Sequence, residues 1–294
     1  MSQRWIKGFA LVTGGLAGST LAAVAVGNLL WKRATKNAVR RLGVPETPSA
    51  AGSSLSPWGE GHGVELAGLP APVARYFDFA LAPGQRLIRS ARLEHRGTFR
   101  GGFDEPWSPF TSVQHFSAHP PGFVWDAAIH LAPLLTVRVR DSYIGGTGGM
   151  HGKIASLIPV VDQSGGAALN AGALHRLLAE MVWLPTALLP GRGVTWTAID
   201  DTRARATLSD SGTSVWLDFQ FSATGEIVRV STPERYRDVD GTAVPTPWAG
   251  SFGSYQEVAG MRVPAEGEVE WILPEGRLSY WRGRIVRSEY DFGE

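Results

Sequence analysis

The segment Asn170–Pro190, NAGALHRLLAEMVWLPTALLP, constrains the fold more than any other part of the chain. It is the one stretch beyond the N-terminal region that reads clearly as a helix. Asn170 suits an N-cap, with Ala171, Gly172, Ala173 and Leu174 forming the first turn. Leu174, Leu177, Leu178 and Met181 then recur at i, i+3, i+4 and i+7, the spacing of one buried face. Pro185 disfavours helical geometry at Leu184, so a break is expected there, followed at most by a short extra turn over Thr186–Leu189. Arg176, Glu180 and Trp183 fall on the opposite face. A solvated i,i+4 ion pair beside a partly exposed Trp is the ordinary expectation for such a face. The sharper alternative is a face turned into a cavity, with Glu180 as its buried carboxylate.

The segments around this helix alternate apolar and polar residues with a period of two. Leu87–Phe99, Gly122–Leu131 and Leu135–Tyr143 read as half-buried strands. Val137-Arg138-Val139-Arg140 puts two valines on one face and two arginines on the other. After the helix, 194–199, 203–208, 214–221 and 227–231 predict a meander, followed by strands over 250–258, 261–264, 266–273 and 277–290. Leu69–Val73 leads into Ala74–Phe77, which predicts a short helix with Pro near its start. The Gly-rich run 145–152 is expected as a hairpin turn. No βαβ alternation occurs, so the fold class is mainly β with a central helix, its sheet antiparallel.

Gly8–Trp31 is a 24-residue stretch without a charge, bracketed by Trp5 and Trp31. That is long enough to cross a bilayer with some tilt, and longer than a signal-peptide core. The organisation expected is therefore a transmembrane helix over 8–31, a basic juxtamembrane segment and flexible linker over 32–66, and a single β-rich domain over 67–294. The localisation expected is the cell membrane, single-pass. Lys32, Arg33, Lys36, Arg40 and Arg41 follow the span while Arg4 and Lys7 precede it, which leans the C-terminal side inward and leaves the side of the soluble domain open. Ala10, Gly14, Gly18 and Ala22 recur every fourth residue, so a homodimer through Gly14 and Gly18 is a further expectation.

Several chemistries find no support. The chain has no cysteine, which removes disulfides, thiolate nucleophiles and Cys-based zinc sites. A net charge of +1 gives no reason to expect nucleic acid as a partner. His115 and His119 lack the Glu of a zinc-protease motif, Gly152-Lys153 fails the phosphate-loop spacing, and no Gly-x-Ser-x-Gly elbow occurs. Glu266, Glu268 and Glu270 alternate on one strand face, which reads as solvated. No cofactor or metal is expected. The 11 tryptophans and 36 glycines point instead to a wide interior filled by flat side chains between twisted strands.

The run WLPTALLP at 183–190, preceded by Leu178-Ala179-Glu180, resembles an uncharacterised group of bacterial membrane-associated proteins. So do the residues over 69–77, Phe123-Val-Trp-Asp126, Arg140-Asp-Ser-Tyr143, Thr246-Pro-Trp248 and Gly267-Glu-Val-Glu-Trp271. That group implies no activity. The pattern of elements also resembles the half-barrel of bacterial lipoprotein carriers, in which a curved antiparallel sheet wraps one or two helices around an apolar cavity. The function expected is a membrane-anchored protein binding a lipid or other apolar ligand. Trp183, Trp216 and Trp271 would line the cavity, and Glu180 and Arg235, with Asp141 nearby, would supply its polar groups. The alternatives are an interaction module without a ligand, or an enzyme using Glu180 or Asp141 as an acid or base; no catalytic signature favours the latter.

Overall fold

The computed structural model describes residues 4–47, 68–133 and 135–292, with side chains from residue 22 onward. Three α-helices, α1 (Arg4–Leu42), α2 (Ala71–Ala80) and α3 (Ala167–Glu180), accompany thirteen strands. The first six strands are β1 (Ile88–Phe99), β2 (Ser108–Ser117), β3 (Gly122–Ala132), β4 (Leu135–Ile144), β5 (Thr147–Ile154) and β6 (Ile158–Ser164). The other seven are β7 (Val194–Ala198), β8 (Arg203–Asp210), β9 (Thr213–Phe221), β10 (Ile227–Val239), β11 (Thr242–Val258), β12 (Met261–Leu273) and β13 (Gly276–Phe292). All thirteen belong to one antiparallel sheet in the order β6-β5-β4-β3-β2-β1-β13-β12-β11-β10-β9-β8-β7. Each half is a meander of hairpins, and the β1–β13 pairing joins the halves at the centre.

The connection from β6 to β7 must travel between opposite edges of the sheet, and α3 makes that crossing. β5 and β9 stand nine positions apart in the sheet, which would separate them by about 43 Å if the sheet were flat. Helix α3 nevertheless packs against both, and against β4 and β10. A helix is only about 10–12 Å wide, so the sheet must curl around it. A hydrogen bond from Tyr143 Oη on β4 to Asp210 on β8, at 2.8 Å, spans the same gap. The apolar stripe of α3 is the reason for the wrapping. Leu174, Leu177, Leu178 and Met181 are all buried, each burial contributing about 1.5–3 kcal/mol.

The helix departs from expectation at both ends. It begins at Ala167, four residues early, with Gly166 at the N-cap position at φ 89°. Asn170 lies inside the first turn, where its Oδ1 accepts a hydrogen bond from the Gly148 amide of β5 at 2.9 Å. At the other end α3 gives way to 3-10 turns over Met181–Trp183 and Pro185–Leu188, broken at Leu184 as the proline requires.

The Gly-rich run expected as a turn is one only at Gly145-Gly146, both at positive φ; from Thr147 onward it is strand β5. Glycine serves there to admit neighbours. A Cβ on Gly148 would stand 2.6 Å from the Leu169 carbonyl oxygen of α3, and one on Gly152 would stand 2.7 Å from Val161. Strands β2 and β6 were also absent from the expected set, and 261–264 and 266–273 form one strand, β12.

Helix α1 does not stop at Trp31; it continues to Leu42, so the first residues expected as juxtamembrane linker are helical and packed. Trp31, expected at a lipid interface, is buried against the outer face of β3 and β4. Its indole N–H donates to Asp126 Oδ1 at 2.9 Å, Thr35 donates to the other oxygen of Asp126, and the Arg140 guanidinium covers its ring. Val39 and Leu42 extend the contact to Val124. Gly14 and Gly18, and much of the 8–31 segment, lie outside the residues whose side chains are described. Among the described residues no helix is long and apolar enough to cross a membrane.

Candidate functional site

Wrapping the sheet around α3 leaves a cavity of about 1050 Å³ between the polar face of the helix and the concave side of the sheet. Its wall carries five tryptophans: Trp125 from β3, Trp183 after α3, Trp248 from β11, Trp271 from β12 and Trp281 from β13. Phe99, Val137, Val139, Phe252 and Tyr280 complete the apolar surface. The inward valines Val137 and Val139 follow from the alternation in β4; Arg140, of opposite parity, lies outside on Trp31. The volume is at the upper end of the range for small-molecule sites, and the apolar lining with few polar groups is their usual composition.

The lining also carries Arg100, Glu105, Asp162, Arg237, Asp238 and Glu268, but the polar residues expected at the site fall into two separate centres. At one, Arg176 of α3 donates to Asp141 Oδ2 at 2.6 Å and to Glu180 Oε1 at 2.9 Å, while the Gln114 amide donates to Glu180 Oε2 at 2.6 Å. The guanidinium also lies over Trp125 and Phe123, 4.8 and 5.0 Å from the ring centroids. Burial opposes the charge of Arg176, but the two carboxylates outweigh it and hold its pKa above the ordinary value. Burial also raises the Glu180 carboxyl, against the opposing pull of Arg176 and Gln114. Both oxygens of Glu180 are therefore occupied, and the i,i+4 pair expected in solvent is enclosed instead.

The second centre is Arg235 of β10. Its guanidinium lies between Trp248 and Trp271, 4.9 and 5.4 Å from their centroids. It donates to Tyr280 Oη at 3.1 Å and to the Gly172 carbonyl at 3.4 Å. No carboxylate pairs with it among the described residues. Beside these centres, the Trp183 indole N–H is buried without an acceptor among the described residues. His95 lies against Trp183, with ring centroids 5.2 Å apart; burial and then the charge of Arg176 depress its pKa to about 3, so it is neutral.

Five of the six residues expected at the site, Asp141, Glu180, Trp183, Arg235 and Trp271, line this one cavity. Trp216 does not. On β9 it alternates with buried Val215 and Leu217, so it faces outward, where the Arg205 guanidinium stacks on it at 3.6 Å. The pattern Val215-x-Leu217-x-Phe219-x-Phe221 already carried that parity. Sequence reasoning placed Arg176 beside Glu180 but not at the centre of the polar group, and gave no role to Gln114 or Trp281. Glu266, Glu268 and Glu270 are satisfied by Ser254, Arg282 and the pair Arg229 and Arg277 respectively. Among the described residues no cluster of His, Asp or Glu could hold a metal ion. A second, polar groove of about 250 Å³ lies between α1 and β4–β5. Its apolar lining is limited to Ala34, Ala38 and Ile144, with no Phe, Tyr or Trp.

Fold and site together define a protein whose single curled antiparallel sheet encloses a Trp-lined interior cavity. Residues 67–290 match a family of unknown function, DUF6920, and the chain belongs to that family. No curated protein sequence matches it. Among solved structures, a LolA superfamily protein from Nitrosomonas europaea is similar at a TM-score of 0.36 and 10% identity, over 76% of this chain and 93% of that one. A DUF1329 family protein from Desulfovibrio piger has a TM-score of 0.36 and 11% identity, over 70% of this chain and 88% of that one. A β-barrel-like protein of the DUF1849 domain from Brucella abortus scores 0.27 at 11% identity, over 70% and 99%. At these scores none of the three carries an argument about ligand or activity.

Proposed function

We propose that this protein is a membrane-anchored binding protein that holds a lipid or other apolar molecule with one polar end inside the curled sheet. The observation that carries this reading is the cavity of about 1050 Å³, walled by five tryptophans and held open around α3. The apolar body of the ligand lies along those rings, and Arg235, which sits between two of them and has no carboxylate partner among the described residues, takes an acidic or strongly polar end. The Asp141–Arg176–Glu180 group is engaged in its own ion pairs, which leaves Arg235 to meet the ligand's polar end. The anchor is the uncharged stretch that begins at Gly8 and ends before Gly27, where the helix docks on the sheet.

Native mass spectrometry of the full-length chain extracted in mild detergent tests this. A reproducible co-purifying lipid is expected, and its loss in Gly172→Phe. Gly172 lines the cavity, and a Cβ there meets nothing closer than the Tyr236 carbonyl at 4.0 Å, so the new side chain is expected to grow into ligand space. A wild-type protein free of any ligand, and unaltered in stability by added lipids, would sink the reading. A second reading, an enzyme with Glu180 as a general acid, has the raised carboxyl pKa in its favour. The occupation of both its oxygens by Arg176 and Gln114 weighs against it.

A further inference from the structure

The cavity lining reaches the end of the sheet that carries the β3–β4 and β5–β6 turns, and these two turns are apolar, whereas the β1–β2 and β10–β11 turns at the same end bring Arg100, Glu105 and Asp238. Leu131 and Leu135 at the first turn are 50% and 39% exposed; Leu157, Ile158 and Val160 at the second are 40%, 61% and 54% exposed. Leu131 also lines the cavity, as does Val161 beside Val160. The two turns are neighbours, because Ala155 donates its amide to the Thr136 carbonyl at 2.9 Å. Monomer surfaces seldom keep a contiguous patch of this kind unless it meets something.

Helix α1 identifies what it meets. Its docked part runs antiparallel to β3 toward the far end, from Gly27, which packs on Ser156 and Leu157, to Leu42, which packs on Gly122. Residues before Gly27 therefore lead off the sheet past the apolar rim, and in sequence they carry no charge back to Gly8. Val26, Leu29 and Leu30, on the side of α1 turned from the sheet, are 55%, 58% and 56% exposed, continuing the patch onto the helix. Lys32 and Arg33 are exposed on the next half turn, about 3–5 Å further along the axis. An apolar layer bounded by cations within a few ångströms is the chemical profile of a bilayer surface with anionic headgroups.

We infer that this rim, with the adjoining face of α1, is a lipid-bilayer contact surface, seated so that the cavity mouth faces the membrane and ligand passes between them without crossing water. The contact itself stands on the rim geometry; its role as a portal rests on the ligand reading above.

The chain has no cysteine, so single labels can be placed cleanly. Ile158→Cys, Leu131→Cys and a control, Val286→Cys, at a position 49% exposed on β13, would each carry an environment-sensitive NBD label. The full-length variants would be reconstituted in vesicles of phosphatidylcholine and phosphatidylglycerol containing doxyl-labelled lipid. Blue-shifted emission at 158 and 131, quenched several-fold more than at 286, is the expected result. Equal, water-like emission at all three positions overturns the contact surface, even where lipid still co-purifies in the cavity. Quenching at the rim with no lipid ever found inside leaves the contact and overturns the portal. Replacing Ile158 and Val160 with Lys should slow loading from vesicles about tenfold while leaving detergent-solubilised ligand binding unchanged; an unaltered loading rate overturns the portal as well.

Discussion

At the scale of the residue, the enclosed ions decide how the cavity responds to substitution. Arg176 pairs with two carboxylates at once, and its removal strands both in a poorly hydrated place. Arg176→Met should destabilise the protein by about 3–5 kcal/mol at neutral pH, read from urea unfolding. The deficit relative to wild type should shrink at pH 5, because a carboxyl already lifted by burial, Glu180, then takes a proton. Arg235→Gln should leave stability within about 1 kcal/mol and weaken ligand retention, since no carboxylate is orphaned by it. Much of this site was legible from side-chain chemistry alone. Spacing on α3 put Arg176, Glu180 and Trp183 on one face, and that face looks inward. Trp216 went astray because its size was weighed above its parity. The approach of Asp141, Arg235 and Trp271 from three distant strands could not be read locally, because only the curl of the sheet brings them together.

At the scale of the element, glycine separates the legible from the illegible strands. β1, β3 and β4 announce themselves through alternating side chains. β5 does not, because three of its eight residues have none to alternate, and β6 exposes most of its length at the sheet edge. The roles of these glycines differ, and that difference is measurable. Gly148→Ala puts a Cβ 2.6 Å from a backbone oxygen of α3 and should cost about 1–3 kcal/mol, since a packed helix cannot yield cheaply. Gly253→Val on β11 meets nothing within 4 Å and should be neutral or slightly stabilising by chemical denaturation. Similar losses at both positions would show that α3 does not depend on close approach to β5.

At the scale of the whole molecule, folding encloses three histidines as neutral rings. His95 is depressed to about 3, mainly by burial and then by Arg176; His115 to about 4, by burial and then Arg92; and His175 to about 4, by burial and then Arg235. Above pH 6.5 folded and unfolded chains hold these rings alike. As pH falls below that, the unfolded chain takes up protons that the folded protein refuses, so stability falls by up to about 4 kcal/mol per pH unit if all three contribute. The urea midpoint should therefore drop between pH 7 and pH 5, before carboxylates elsewhere titrate. A flat midpoint across that interval would remove the buried neutral histidines from the account.

The sheet is closed at its centre by the pairing of its first strand in the chain with its thirteenth, from Ile88 opposite Phe292 to Phe99 opposite Trp281. That seam gives the cavity a history. During synthesis the first meander and α3 emerge long before β13, and until β13 arrives β1 has no partner on its open side. The tryptophans of β11 and β12 then belong to a ribbon tied to the first meander through α3 and not yet through the sheet. The interior is thus assembled in one late act, by the insertion of a single strand between two finished halves. A nascent chain can possess nearly all the residues of the binding chamber and still have no chamber to load.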